Sequence, residues 1–496
     1  MKLRRRTIGI ALAVLVVLLI FVGGLGTHLI VTTGLLRKWV NTDPEKLFLD
    51  YDSASAWVPG IIRIRGLAVR GSDDNVQWRF RMEAATISIS LPDLLRRQVH
   101  ATRVRAEGLV FRLREKVRKA DFSQAHEKRV PEIPGFSDPP WKTFEPEPPP
   151  PSARERSRYW TIHVENLVAD PAPDIWVELY RFRGHARVTG GFSLRPHTRA
   201  SIGPAAVEFV SGRFELGPSE SLLASASGKA DCRFDEFEPD EVRGDAIWKK
   251  ISGAIRIEGR PDDLRFFNHF LRRTPEPRLS GGGGKARFEV EFDHGIGKGA
   301  GDFQFTRAAF RYPEGTVAGR AAGRLAIPRW DVENGNLDVS GSRVELTGVT
   351  TEGTRHDERD WWGRFEIVSG RFHGDFAAQT SVACRDARPL YTLFAAKLPG
   401  WAEGLLKMEG IQATGRVRLG SRSVEVENLE ASGGKFTIAG RYRDRKDVRD
   451  GAFLLETGIL AVGVSIEGDQ SHVKLLGARK WFEGAGAAPA RASSDR

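Results

Sequence analysis

Along most of the chain the apolar positions recur every second residue. Ile62 and Ile64 alternate with Arg63 and Arg65, and Ile87, Ile89 and Leu91 alternate with Thr86, Ser88 and Ser90. A period of two puts apolar side chains on one face of a strand and polar ones on the other, so these segments are expected as strands with one buried face. Ser90-Leu-Pro-Asp-Leu-Leu-Arg-Arg97 interrupts the pattern with a brief helical turn. Leu109, Phe111 and Leu113 then resume it, alternating with Val110, Arg112 and Arg114.

After Tyr159 short strands follow one another with Gly-rich punctuation: 207–216, 251–257, 286–292, 303–310, 344–349, 365–372, 417–419, 424–426 and 436–442. Such regular spacing argues for a sheet built by iteration, with well over the usual 20 to 25% of residues in strands. Two segments read as helical, Asp262 to Leu271 and Pro389 to Lys407. In the first, Leu264, Phe267 and Leu271 form one amphipathic stripe able to cap a sheet. Thr42-Asp43-Pro44-Glu45 carries the signals of a helix start before Leu47 and Phe48.

The beginning of the chain is different. Lys2, Arg4, Arg5 and Arg6 precede an apolar stretch from Ile8 to Val31, and no charged residue falls between Thr7 and Arg37. A hydrocarbon core of about 30 Å needs about 20 helical residues, so this stretch is long enough to span. It exceeds a signal-peptide core and ends in no A-x-A site, so an uncleaved anchor is expected. The basic residues before it place the N-terminus in the cytoplasm and the bulk of the chain outside.

The expected organisation is a cytoplasmic tail and transmembrane anchor (1–40), an N-terminal β/α unit (41–130), a Pro-rich linker or loop (131–158), a repetitive β region (159–483) and a disordered tail (484–496). Nine prolines fall between Pro131 and Pro151. They remove backbone donors and favour an extended, semi-rigid segment. The tail, rich in Ala, Gly, Ser and Arg, has too little apolar content to order itself.

Composition adds three points. Fifty-three Gly and 28 Phe against three Met fit turns and strands better than long helices. The net charge of +11 suits an anionic partner, and lipid headgroups attract Lys and Arg as nucleic acid does. The run from Arg96 to Arg129 holds eleven Lys or Arg against four Asp or Glu. Within it Arg96, Arg97, Arg103, Arg105, Arg112 and Arg114 are the candidates for headgroup contact. Cys232 and Cys384 lie far apart without a CxxC or His spacing; whether they pair stays open.

No motif supports catalysis, and no cofactor is implied. Ser280-Gly-Gly-Gly-Gly-Lys285 lacks both the spaced Gly and the Ser or Thr of a phosphate loop, so it reads as a turn before the strand Ala286 to Phe292. His356-Asp-Glu-Arg-Asp360 reads as a charged loop tip. There is no H-E-x-x-H and no G-x-S-x-G. What can carry function is the apolar face of the strands, with Phe111, Phe288, Val290, Phe292, Phe303, Phe305, Phe365 and Ile367 as candidates. Two such faces can close on one another as a sandwich, or one can remain open and hold acyl chains. The pattern alone leaves both readings standing.

The stretch Thr86 to Arg114, a strand, a Leu-rich turn and a strand ending in Glu107-Gly-Leu109, resembles the N-terminal signature of the AsmA-like proteins, which include TamB. Trp57 to Gly71 looks like the first strand of that unit, and Val424 to Arg443 looks like that family's late repeat. The resemblance implies a mostly β fold: a transmembrane helix followed by an elongated, curved, repetitive β-groove of taco-like section, with a few short amphipathic helices. It also implies a protein anchored in the inner membrane with its bulk in the periplasm, moving phospholipid between membranes in outer-membrane biogenesis. The expected partners are membrane, phospholipid and other envelope proteins, and not nucleic acid. An envelope scaffold that binds proteins through sheet edges is the competing function.

Overall fold

The computed structural model describes residues 28–487 except 31, 74, 143–151, 240, 243, 270–277, 313–314, 353–360, 387–407, 421–422, 446–447 and 469. Strands take up 69% of the described residues, far above the usual share. The chain forms two compact units, Met1–Gly259 with Glu291–Gly295, and Arg260–Val290 with Ile296–Arg496.

The first unit holds β1 (Leu47–Asp50), β2 (Ser53–Val58), β3 (Ile61–Ser72), β4 (Val76–Ile89), β5 (Gln98–Glu107), β6 (Val110–Glu115), β7 (Thr161–Val177), β8 (Tyr180–Arg195), β9 (Arg199–Leu216), β10 (Glu220–Phe237) and β11 (Ile251–Arg260, its last residue in the second unit). β1 and β2 both pair with β3, so they occupy one position in the sheet. β5 and β6 likewise share the position between β4 and β7. The break between them falls at Gly108, whose φ of 65° suits a residue without Cβ. β5 and β6 run parallel to β7, and a parallel pair requires a crossover connection. The long Pro-containing segment from Lys116 to Trp160 is that crossover.

Its described part is not a free linker. Ile133 is fully buried, as are Pro131 and Pro140. Extended Pro-rich backbone has carbonyls but few donors, and here arginines of the sheet's polar face supply them. Arg70 donates to the Pro134 carbonyl (3.1 Å), Arg112 to that of Glu132 (2.9 Å) and Arg114 to those of Pro131 (3.2 Å) and Ser137 (3.0 Å). Arg70, Arg79 and Arg112 stand side by side across β3, β4 and β6. Burial, and then the charges of Arg112, Arg81 and Arg70, lower the pKa of Arg79. The guanidinium of Arg70 lies 4.4 Å from the Phe48 ring centre, and Arg181 lies 4.6 Å from that of Trp176.

The second unit holds β12 (Arg278–Gly281), β13 (Gly284–Asp293, its last three residues in the first unit), β14 (Ile296–Tyr312), β15 (Gly315–Asp331), β16 (Asn336–Asp338), β17 (Arg343–Glu352), β18 (Trp361–His373), β19 (Asp375–Asp386), β20 (Glu409–Gly420), β21 (Ser423–Gly433), β22 (Phe436–Arg445), β23 (Val448–Thr457), β24 (Leu460–Glu467) and β25 (Gln470–Lys474). From β14 on it is an antiparallel meander in which β16 and β17 share one position between β15 and β18. The glycine run 281–284 is a break between β12 and β13, and Gly282 there accepts a hydrogen bond from Leu264 N (3.0 Å). Leu264 belongs to a 3-10 helix, Leu264–His269, and is buried with Leu279, Ala308 and Ala321, with Phe267 against them.

Three expectations change. Thr42–Glu45 forms a turn, and Leu47 and Leu49 enter β1, because pairing with Gly71 and Val69 of β3 outweighs the local capping signal. Residues 131–142 pack on the sheet. The C-terminal helix Ala478–Ala487 carries order into the first residues read as tail, since Ala478 is buried and Trp481 sits over Gly463. The anchor segment lies almost wholly outside the described residues, as do the charged tip 356–360 and the helical segment 389–407. Among the described residues no helix is long and apolar enough to cross a membrane.

The Arg114 side chain is 1% exposed and also donates to Gln77 Oε1 (3.0 Å). Replacing it by Met leaves the Pro131 and Ser137 carbonyls and the Asp138 carboxylate of this Pro-rich strap without their donor, at a cost of about 2–3 kcal/mol. Thermal unfolding of R114M is expected to show this loss, and limited proteolysis should cut first between Arg118 and Lys142.

Candidate functional site

Cross-strand pairing determines which residues share a face. In the second unit one line of directly paired residues crosses ten consecutive sheet positions: Phe303, Gly323, Val344, Phe365, Val382, Ala413, Ala431, Ile438, Leu455 and Val462. No member is polar. The next line, one residue along on each strand, runs Asp302, Arg324, Arg343, Glu366, Ser381, Thr414 and Glu430 and so faces the other way. It carries ion pairs such as Arg324–Asp302 at 3.6 Å, and the next line on that polar face adds Arg364–Glu345 at 3.4 Å.

Every member of the apolar line is half-buried, neither sealed nor fully exposed. In a closed sandwich a central inward line would be sealed by the facing layer. Beside it a second apolar line, Phe305, Ala321, Leu346, Gly363, Cys384 and Ile411, is more deeply packed. Trp361, Val349 and Met408 close around its Cys384 end. Together they make a strip of one mostly buried and one half-buried line. At about 4.8 Å per strand the ten positions extend roughly 40 Å.

Of the sequence candidates, Phe303 and Phe365 lie on this line, and Phe305 lies on its neighbour with its ring 5.0 Å from that of Phe303. Ile367 follows Phe365 on the same face of β18. Val290 is buried, and Phe288 packs toward Gly301 with 36% of its surface exposed. Phe292 belongs to the first unit, as does Phe111. Phe111 joins an analogous line there: Leu49, Val69, Phe80, Phe111, Ile175, Phe182, Phe214 and Leu223.

The basic candidates divide. Arg96, Arg97, Arg103 and Arg105 are exposed. Arg112 and Arg114 are committed to the Pro-rich strap, and the burial of Arg114 removes it from reach of any headgroup.

The small members of the strip, Gly323, Ala413 and Ala431, escaped the sequence reading because Gly and Ala carry no strand signal of their own. Gly323 nevertheless admits the Phe303 ring: a Cβ there would stand 2.6 Å from Phe303 Cζ and 2.4 Å from the Arg343 carbonyl oxygen. Both cysteines are free thiols. Burial, and then Asp386, push the Cys384 thiol up to about 11. No family model matches this chain, and neither does any curated protein or solved structure.

Two outcomes are expected. Gly323→Val should cost about 1–3 kcal/mol by overpacking, read as a lower midpoint in denaturant titration. With a pKa near 11, about one Cys384 molecule in a thousand is ionised at pH 8, so a thiol reagent should leave Cys384 unmodified in the folded protein and label it once the chain is unfolded.

Proposed function

We propose that this protein is an inner-membrane anchored, AsmA-like periplasmic protein of outer-membrane biogenesis, and that it holds or conducts phospholipid along the apolar strip of its sheet. The observation that carries this reading is the half-buried apolar line over ten strand positions, with no polar member to interrupt it. Each methylene removed from water gains about 0.8 kcal/mol, so acyl chains are retained by area alone and no catalytic group is needed. The apolar stretch Ile8 to Val31 supports placement at a membrane. The exposure of Arg96, Arg97, Arg103 and Arg105 supports a headgroup-contacting role, worth about 1 kcal/mol per basic residue near an anionic surface.

The competing scaffold function has one observation in its favour. β25 pairs with β24 and is exposed along its whole length, as a strand-adding partner would require.

The two readings separate in one experiment. Full-length wild type, Phe303→Asp and Val382→Asp are purified from native membranes, and melting temperature and bound phospholipid are measured. An accessible strip lets the carboxylate keep water, so both variants should stay folded while losing most of the lipid. Unfolding of both variants, or a wild type free of lipid with a stable protein partner, rejects lipid handling.

A further inference from the structure

His100 lies on β5 and His163 on β7, and the parallel register sets them directly opposite one another. The next pair, Ala101 and Val164, is buried in a small apolar cluster. The two imidazoles therefore share the opposite, polar face, their ring centres 4.9 Å apart. Glu165, two residues after His163, brings Oε1 to 2.9 Å from His100 Nε2 and 3.9 Å from His163 Nε2. One ligand atom from each of the three lies within 4.8 Å of the others.

The remaining nitrogen of His100 is also spoken for. Its Nδ1 lies 2.8 Å from Asp93 Oδ2, on the helical turn Leu91–Leu94. A carboxylate behind the ring orients a metal-binding histidine and determines which nitrogen carries the proton, leaving Nε2 as the donor. Asp93 is itself held by Arg96 at 3.7 Å. Two imidazoles and one carboxylate suit a borderline divalent transition ion better than calcium or magnesium, which prefer oxygen. Ligands about 2.0–2.2 Å from zinc in tetrahedral geometry stand roughly 3.3 Å from one another. The separations of 2.9 and 3.9 Å bracket that spacing, and side-chain rotation closes the rest. Side-chain exposures of 20% for His100, 42% for His163 and 44% for Glu165 leave a path for the ion and for a water in the fourth position.

We propose that His100, His163 and Glu165 form a binding site for one divalent transition ion of the zinc class, with Asp93 as positioning residue. The ion would clasp β5 to β7, the ladder on which the Pro-rich crossover closes. The competing account is a plain ion pair, in which a protonated His100 bridges Asp93 and Glu165.

The test uses tag-free, full-length protein in detergent, stripped with chelator and titrated with Co²⁺ at neutral pH, with Zn²⁺ as competitor and circular dichroism as the check on folding. One equivalent of Co²⁺ should bind with visible d–d absorption and be displaced by Zn²⁺. His163→Ala and Glu165→Gln should abolish the signal in folded protein. Asp93→Asn should keep one equivalent while weakening affinity roughly 10- to 100-fold. Absence of saturable binding to folded wild type overturns the proposal, as does binding that persists unchanged in the His100→Ala/His163→Ala double variant.

Discussion

The arrangement rests on cross-strand register. Side chains alternate with a period of two, so a slip of one residue in any ladder would send its apolar set to the polar face and break the line. In the second unit that line is kept over ten positions although several ladders contain shifts, for example between Phe305 and Ala308, between Ile367 and Ser369 and between Val426 and Leu429. The shifts absorb extra residues away from the strip. Phe303 and Phe365 consequently share one face while the Arg324–Asp302 and Arg364–Glu345 pairs share the other.

The first unit meets a different constraint. Its sheet changes from antiparallel to parallel at β7, and the connection has to cross a face of the sheet. A Pro-rich chain is suited to this, because it does not compete for ladder hydrogen bonds, but its carbonyls then need donors. Arg70, Arg112 and Arg114 provide them, with Phe48 and Trp176 offering ring faces to Arg70 and Arg181. A row of like charges is tolerable because each guanidinium is delocalised and carries five donors in a fixed fork. The basic character of this region therefore serves folding at Arg112 and Arg114, and leaves Arg103 and Arg105 exposed.

Reading strands from alternation succeeded for several segments. The segments 303–310, 365–372 and 436–442 all fall within strands. It missed β7, β8, β10, β15, β19, β23 and β24, and in β15 and β19 stretches such as Ala321-Ala-Gly323 and Ala377-Ala378 hold small residues of weak strand preference. In β15 a thin residue is required at Gly323, where the Phe303 ring leaves no room for a Cβ. That requirement appears only once the pairing is known. His163 and Glu165 were not singled out in the sequence, because they gain a third partner only when β5 places His100 opposite.

By itself the sequence determined the mostly β class, the iteration of Gly-punctuated strands, the two-faced character of those strands and a highly apolar N-terminal stretch. These follow from period, composition and local turn chemistry, which act between residues close in the chain. Tertiary structure alone decided that the apolar line is half-buried, that Arg114 is sealed beneath a Pro-rich strap, that Leu47 joins a strand and that His100 meets His163. Each of these depends on partners dozens of residues distant, whose pairing energy arises only when the ladder forms.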